Sequence, residues 1–240
     1  MKRSQGRSTA ARDAAATREA VLRAAIAEFT AKGLAGARMD AIARAAGVAK
    51  GLLFHHFGSK EGLWSAALEQ VYRMLRAGQD EAALLRLGPV EGMRRLVVET
   101  FRLFRERPEI VALMNEENLH RARHLRANPE IRALYNPLFA AIEALLARGR
   151  EEGIFRAEVD PVALYVALSG LGYFYCSNRW TLSAAFAGDL FEPERISSYE
   201  DLIGDMVVAY LLRRPERATD EGRGTPVAAE SRDGKKAAGS

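Results

Sequence analysis

A chain of 240 residues with 48% hydrophobic side chains is long enough to bury one sizeable core and a small extra domain, and its composition is that of a soluble globular protein. A single cysteine, Cys176, excludes an intramolecular disulfide framework, and the lack of any run of 18 apolar residues excludes a membrane-spanning helix. The net charge of +4 is unevenly spread: residues 1–60 hold 11 Lys and Arg against 4 acids and carry +7, leaving −3 for residues 61–240, so the positive field that attracts a polyanion sits at one end.

Residues 1–16 place Lys2, Arg3, Arg7 and Arg12 among Ser, Gly and Ala, and read as a mobile basic arm able to reach a minor groove. The same segment lacks the apolar centre of a signal peptide, so a cytoplasmic, reducing location is expected. Thr17 to Gly33, TREAVLRAAIAEFTAKG, then puts Val21, Leu22, Ala25, Ile26 and Phe29 on one face of a helix. Residues 39–61, MDAIARAAGVAKGLLFHHFGSKE, read as two short helices joined at Gly47, the arrangement by which a helix-turn-helix enters DNA. Ile42 anchors the first helix, and the small Ala43, Ala45 and Ala46 let a second helix cross close by. Val48, Leu53 and Phe57 can share an inward face, which leaves Lys50, Leu52, Phe54, His55 and His56 to project elsewhere.

Taken with the preceding helix, AIARAAGVAKGLLFHHFGSKEGL resembles the DNA-binding domain of the TetR-type (tetracycline-repressor-like) transcriptional regulators, over about 48 residues with several spacings matched. The resemblance implies an all-α chain: a three-helix DNA-binding domain, here residues 17–63, and a helical effector-binding and dimerisation bundle, here residues 64–214. It also implies that Lys60 contacts backbone phosphate. Three departures change the expected readout. Arg38 stands where a small hydroxyl residue usually caps the second helix, and becomes a candidate phosphate contact, with Asp40 favourable to the helix dipole. Ala49 and Leu52 replace Ser or Thr, and Phe54 replaces Tyr, so polar readout shifts to Lys50, His55 and His56, with Leu52 placed to touch a thymine methyl.

Farther along, Glu61 to Arg76 predicts a connector helix and Pro89 to Arg107 an amphipathic one with a Leu96, Val97, Phe101, Phe104 stripe. Pro108 opens a third, reaching Arg126, and Pro129 a long helix to Arg150 that Pro137 should kink. Asp160-Pro161 opens another to Ser177; a long connection, SNRWTLSAAFAGDLFEPERI, precedes a last helix from Tyr199 to Arg213. Residues 215–240 have almost no large apolar side chains and read as a disordered tail. By resemblance, the helices at 161–177 and 199–213 form a four-helix interface with a second copy, and twofold symmetry would match a palindromic operator.

The aromatic residues Phe101, Phe104, Tyr135, Phe139, Tyr165 and Tyr173, with Asn115, are the candidate effector contacts, each also able to serve as core. Glu116, Glu117, His120 and His124 have metal-like helical spacing, but Arg121, Arg123 and Arg126 surround them, and a solvated polar face is the expected reading. No nucleophile elbow, phosphate loop or paired-cysteine motif is present, so neither an enzyme nor a cofactor is expected. The leading reading is a homodimeric, effector-responsive DNA-binding regulator, most often a repressor in this family. A non-specific architectural protein and a small-molecule binder without DNA function stay open as alternatives.

Overall fold

A computed structural model describes residues 2–77 and 80–213, with side chains from Arg12 onward; among them are thirteen helices and no strand beyond one isolated bridge. The head comprises α1 (Lys2–Gly36), α2 (Met39–Ala46) and α3 (Lys50–Phe57), and α4 (Lys60–Ala77) leads out of it. The body continues with α5 (Glu81–Arg86), α6 (Pro89–Glu106), α7 (Pro108–Leu119), α8 (Arg123–Ala127) and α9 (Pro129–Ala133). It closes with α10 (Asn136–Glu151), α11 (Pro161–Ser177), α12 (Arg179–Ala185) and α13 (Pro193–Leu211). The all-helical class expected from the periodicity is observed.

Several element boundaries differ from the sequence reading, each for a local reason. The segment read as a mobile arm is instead the start of α1, where Ala10, Ala11, Ala14, Ala15 and Ala16 have the highest helix propensity available. That helix is interrupted at Gly33, whose backbone leaves the helical region (φ 64°, ψ 178°). The helix opened by Pro108 stops at Leu119 rather than Arg126, because Arg121 and Ala122 take positive φ values of 56° and 55°. Pro137 does not kink a long helix; the chain breaks before it, and Pro137 lies in the first turn of α10, where a missing N–H costs nothing. The connection after α11 contains α12, and α13 begins at Pro193, again a first-turn proline, rather than at Tyr199. The expected tail, 215–240, lies outside the described residues.

Two buried clusters organise the fold. The first joins α1 to α4 with α7 and contains Val21, Phe29, Ile42, Leu53, Trp64, Leu68, Ile110 and Leu113. The second fills the body between α5, α6, α10, α11 and α13 with Met93, Phe101, Ile142, Leu145, Leu168 and Ile203. The expected domain division at residue 64 therefore falls inside α4 and through the middle of a continuous core. Trp64 and Leu63, both fully buried, belong to the same cluster as the helix-turn-helix anchors.

Candidate nucleic-acid interface

The reading helix is held from beneath. Gly47 ends α2 in the left-handed region (φ 70°), its N–H donating back to the Ala43 and Arg44 carbonyls, so the chain reverses within two residues of the start of α3. Leu53 on α3 is fully buried, and Val48 in the preceding turn and Phe57 at the end of α3 pack against the same core. The next helix approaches so closely that a Cβ on Gly62 would lie 2.0 Å from the Phe57 carbonyl oxygen. Only glycine permits α4 to start there, and this crossing sets the orientation of α3.

Of the five residues that sequence spacing leaves outward, four are exposed, and so is Ala49 just before them. Ala49, Lys50, Phe54, His55 and His56 are exposed, Phe54 retaining 42% of its accessible surface, while Leu52 is half-buried. The His55 and His56 rings lie 5.4 Å apart edge to face. Lys50 donates to Asp40 across the turn, Nζ to Oδ1 at 2.9 Å, and this bond holds the exposed Asp40 carboxyl below its ordinary range. Arg38 is exposed in extended conformation and supplies no side-chain cap to α2, while its backbone N–H donates to Glu28 Oε1 at 3.2 Å.

Lys60 is placed differently from a free phosphate contact. Its ammonium donates to the carbonyls of Ala35 and Ala37, each at 3.1 Å, clipping the end of α1 to the start of α4. Ser59 Oγ accepts from Gly62 N at 3.0 Å and so caps the same helix.

The seven candidate effector residues fall into three places. Phe101 is fully buried, with its ring edge to face against Tyr175 at 5.4 Å and near Tyr199 at 5.2 Å, which makes it a body core residue. Phe104 packs edge to face on Tyr173 at 5.9 Å; the Tyr173 hydroxyl donates to Asn115 Oδ1, and Asn115 Nδ2 donates to Ser177 Oγ at 3.2 Å. Tyr135, Phe139 and Tyr165 form a third group, with Tyr165 lying 6.0 Å from Tyr135 and 5.2 Å from Phe139.

Sequence reasoning misses the centre of that third group. Arg76, only 7% exposed, sits over the Tyr135 ring at 4.6 Å and donates from Nη2 to the Tyr165 hydroxyl at 3.1 Å, and the Tyr72 ring lies 6.0 Å from that of Tyr135. Burial raises the Tyr72 and Tyr135 hydroxyls above their ordinary pKa, so both remain neutral donors. The available signal is the position of Arg76, four residues after Tyr72 on the apolar face of the connector helix.

The polar segment of α7 also proves different from a solvated face. Glu117 is 2% exposed and accepts from Trp64 Nε1 at 3.3 Å, His124 Nδ1 at 2.7 Å, and the amides of His124 and Leu125 at 2.8 and 3.1 Å. Burial pushes its carboxyl up, but the donors His124, Leu125 and Trp64 together outweigh burial and hold it below the ordinary value. Glu116 Oε1 accepts from Leu34 N at 3.0 Å, just past the break in α1. These carboxylates fasten head to body. Among the described residues no group of three or more His, Cys, Asp or Glu is arranged to hold a metal ion.

Residues 21–67 match the family described as bacterial regulatory proteins, tetR family, and residues 89–207 match the tetracyclin repressor-like C-terminal domain. Over 203 residues the chain is 30% identical to the HTH-type transcriptional repressor NicS of Pseudomonas putida, covering 85% of this chain and 96% of that protein. The chain belongs to the TetR family. Like other members it is a DNA-binding transcriptional regulator rather than an enzyme. Two solved structures share the architecture of this TetR-family chain. The TetR family regulator PfmR from Thermus thermophilus superposes with a TM-score of 0.59 at 26% identity, over 80% of this chain and 99% of that one. A TetR family transcription regulator from Marinobacter aquaeolei VT8 gives 0.63 at 22% identity, over 85% and 99%. No helix among the described residues is long and apolar enough to cross a membrane.

Proposed function

We propose that the protein is a cytoplasmic homodimeric repressor that occupies a palindromic operator and is released by a small, partly apolar effector. The observation that carries this reading is the exposed outer face of α3, a short helix whose inner face is fixed by Leu53 and whose outer face offers Lys50, Phe54, His55 and His56. In the major groove, Lys50 and the two imidazoles supply hydrogen bonds to base edges or phosphate, and Ala49, Leu52 and Phe54 supply apolar contact. Arg38 adds a phosphate contact beside the groove, and Lys60 acts by holding α1 and α4 together at the head's base.

The dimer is supported by apolar surface that a monomer would leave in water. Val162, Val166 and Phe174 on α11 and Leu202, Met206 and Tyr210 on α13 are 48–62% exposed, and Met206 and Tyr210 line, with Ala167 and Leu171, a groove of about 400 Å³. Two heads related by a twofold axis then meet half-sites roughly 34 Å apart.

Release is carried by α4. One helix, about 27 Å long from its 18 residues, bears Gly62 against α3, Trp64 against Glu117, and Tyr72 and Arg76 among the aromatic residues of the body. An effector seated among Arg76, Tyr135, Phe139 and Tyr165, or beside Phe104, Asn115 and Tyr173, displaces the far end of this lever and changes the spacing of the two heads. Coupling of roughly 1–3 kcal/mol lowers operator affinity about 5- to 150-fold.

The test is selection of bound sequences from random duplexes at roughly physiological salt. An enriched inverted repeat is expected. Retention of duplexes with no enriched sequence, or no retention, overturns the reading.

A further inference from the structure

In the body, three arginines converge on one recess of about 620 Å³, a volume in the range of small-molecule sites. Arg150 comes from the last turn of α10, Arg156 from the loop after it, and Arg213 from the residues that follow α13. A backbone pairing sets two of them side by side: Arg156 N donates to Leu211 O at 2.9 Å and Arg213 N to Ile154 O at 2.8 Å, around the Phe155–Leu212 bridge. The Arg156 guanidinium lies over the Tyr210 ring at 4.4 Å, and its Nε is buried with no hydrogen-bond partner among the described residues. Among the described residues, Arg150 Nη1 donates to the Ala157 carbonyl alone, at 3.4 Å.

None of the three forms an ion pair among the described residues, although nine other arginines do. Glu158 is the one carboxylate lining the recess among the described residues. Three guanidinium charges against one carboxylate leave the recess doubly positive, the complement of a phosphate monoester near neutral pH. A buried donor without a partner costs free energy unless a ligand or water satisfies it, and a guanidinium fork matches phosphate oxygens in pairs.

We propose that this recess is an anion site for a small molecule bearing a phosphate group, separate from the DNA-reading face and from the aromatic core. Arg156, oriented by Tyr210, supplies the fork; Arg213 and Arg150 neutralise the remaining charge; Glu158 excludes ligands that carry a further negative group on that side. Because Leu211 and Tyr210 belong to α13, an occupied site ties the loop after α10 to a helix of the proposed dimer face.

The experiment is calorimetric titration of the full chain with inorganic phosphate and with glycerol 3-phosphate, at constant ionic strength set with chloride. One site per protomer is expected, with affinity in the low millimolar range or tighter, and the Arg156→Gln, Arg213→Gln variant weakens it about tenfold or more. Arg156→Lys, which keeps the charge and loses the fork, is expected to fall between the two; its melting temperature, with that of the double variant, verifies folding. Tighter binding of the ester identifies a phosphorylated small molecule as the ligand, and equal or tighter binding of inorganic phosphate identifies free phosphate. No saturable binding of either probe to about 50 mM, or unchanged binding by the folded double variant, overturns the proposal.

Discussion

Head and body use their side chains in opposite ways. In the head, the residues proposed to meet DNA lie outside the core: Phe54 keeps 42% of its surface, and the nearest anchor, Leu53, keeps none. In the body, the polar group at the centre of the candidate effector region is itself buried, Arg76 at 7% exposure among Tyr72, Tyr135 and Tyr165. A surface that reads a rigid polyanion is what remains after the core is filled. The candidate effector region around Arg76 is made from the core itself, so there any binding role and stability are entangled, whereas in the head they are separable.

The largest expected effects test whether the halves fold as one unit. Leu53→Ala in the head and Phe101→Ala in the body each remove a fully buried side chain and should cost about 2–5 and 3–5 kcal/mol. A single denaturation transition shifted by both variants is expected, because α4 and α7 share the head's core; two separate transitions would break that picture.

Next in size is the seam. Glu117→Ala leaves the Trp64 indole and the start of α8 without their acceptor and should cost about 1–3 kcal/mol. Since the folded Glu117 carboxyl lies below its ordinary value, its contribution is fully present above the unfolded pKa of roughly 4.3 and is lost as pH falls through the folded value. The stability gap between wild type and Glu117→Gln should therefore narrow on acidification; a constant gap from about pH 7 to about pH 3 would show that the charge contributes nothing.

Smaller in stability, and specific to the head, is the pair Lys50→Ala, His55→Ala. Both side chains are exposed, so stability should stay within about 0.5 kcal/mol of wild type, while operator affinity falls about ten- to a hundredfold. Retained affinity in a gel-shift titration would remove these residues from the contact surface. Smallest of all is Cys176: burial pushes its thiol up to about 12, so alkylation at about pH 8 should be slow in the folded chain and prompt in denaturant.

The same asymmetry governs what can be read from the sequence. The helix-turn-helix is legible because Gly47, Leu53 and Phe57 are neighbours in the chain, and local spacing decides which residues are left outside. Glu117 reads as a solvated residue because its burial depends on Trp64, 53 residues away, and no local pattern marks a carboxylate as the acceptor for a distant indole. Arg76 escapes notice for the same reason: its partners Tyr135 and Tyr165 arrive from the start of α10 and from α11. Pro137 is visible but takes a different role, since a proline inside an apolar run is consistent with a kink or with a fresh start, and only the turn at Leu134 distinguishes them.

The chain's two indoles sit in opposite media: Trp64 is fully buried at the seam, bonded to Glu117, while Trp180, just past the end of α11, is 75% exposed. Their fluorescence therefore reports on different events. Trp64 emission follows the join between head and body, and quenching of Trp180 by a soluble collider falls when another molecule covers that end. With Trp180→Phe to isolate the first signal and Trp64→Phe the second, the proposed effector response and the proposed dimerisation can be tested separately, without any label attached.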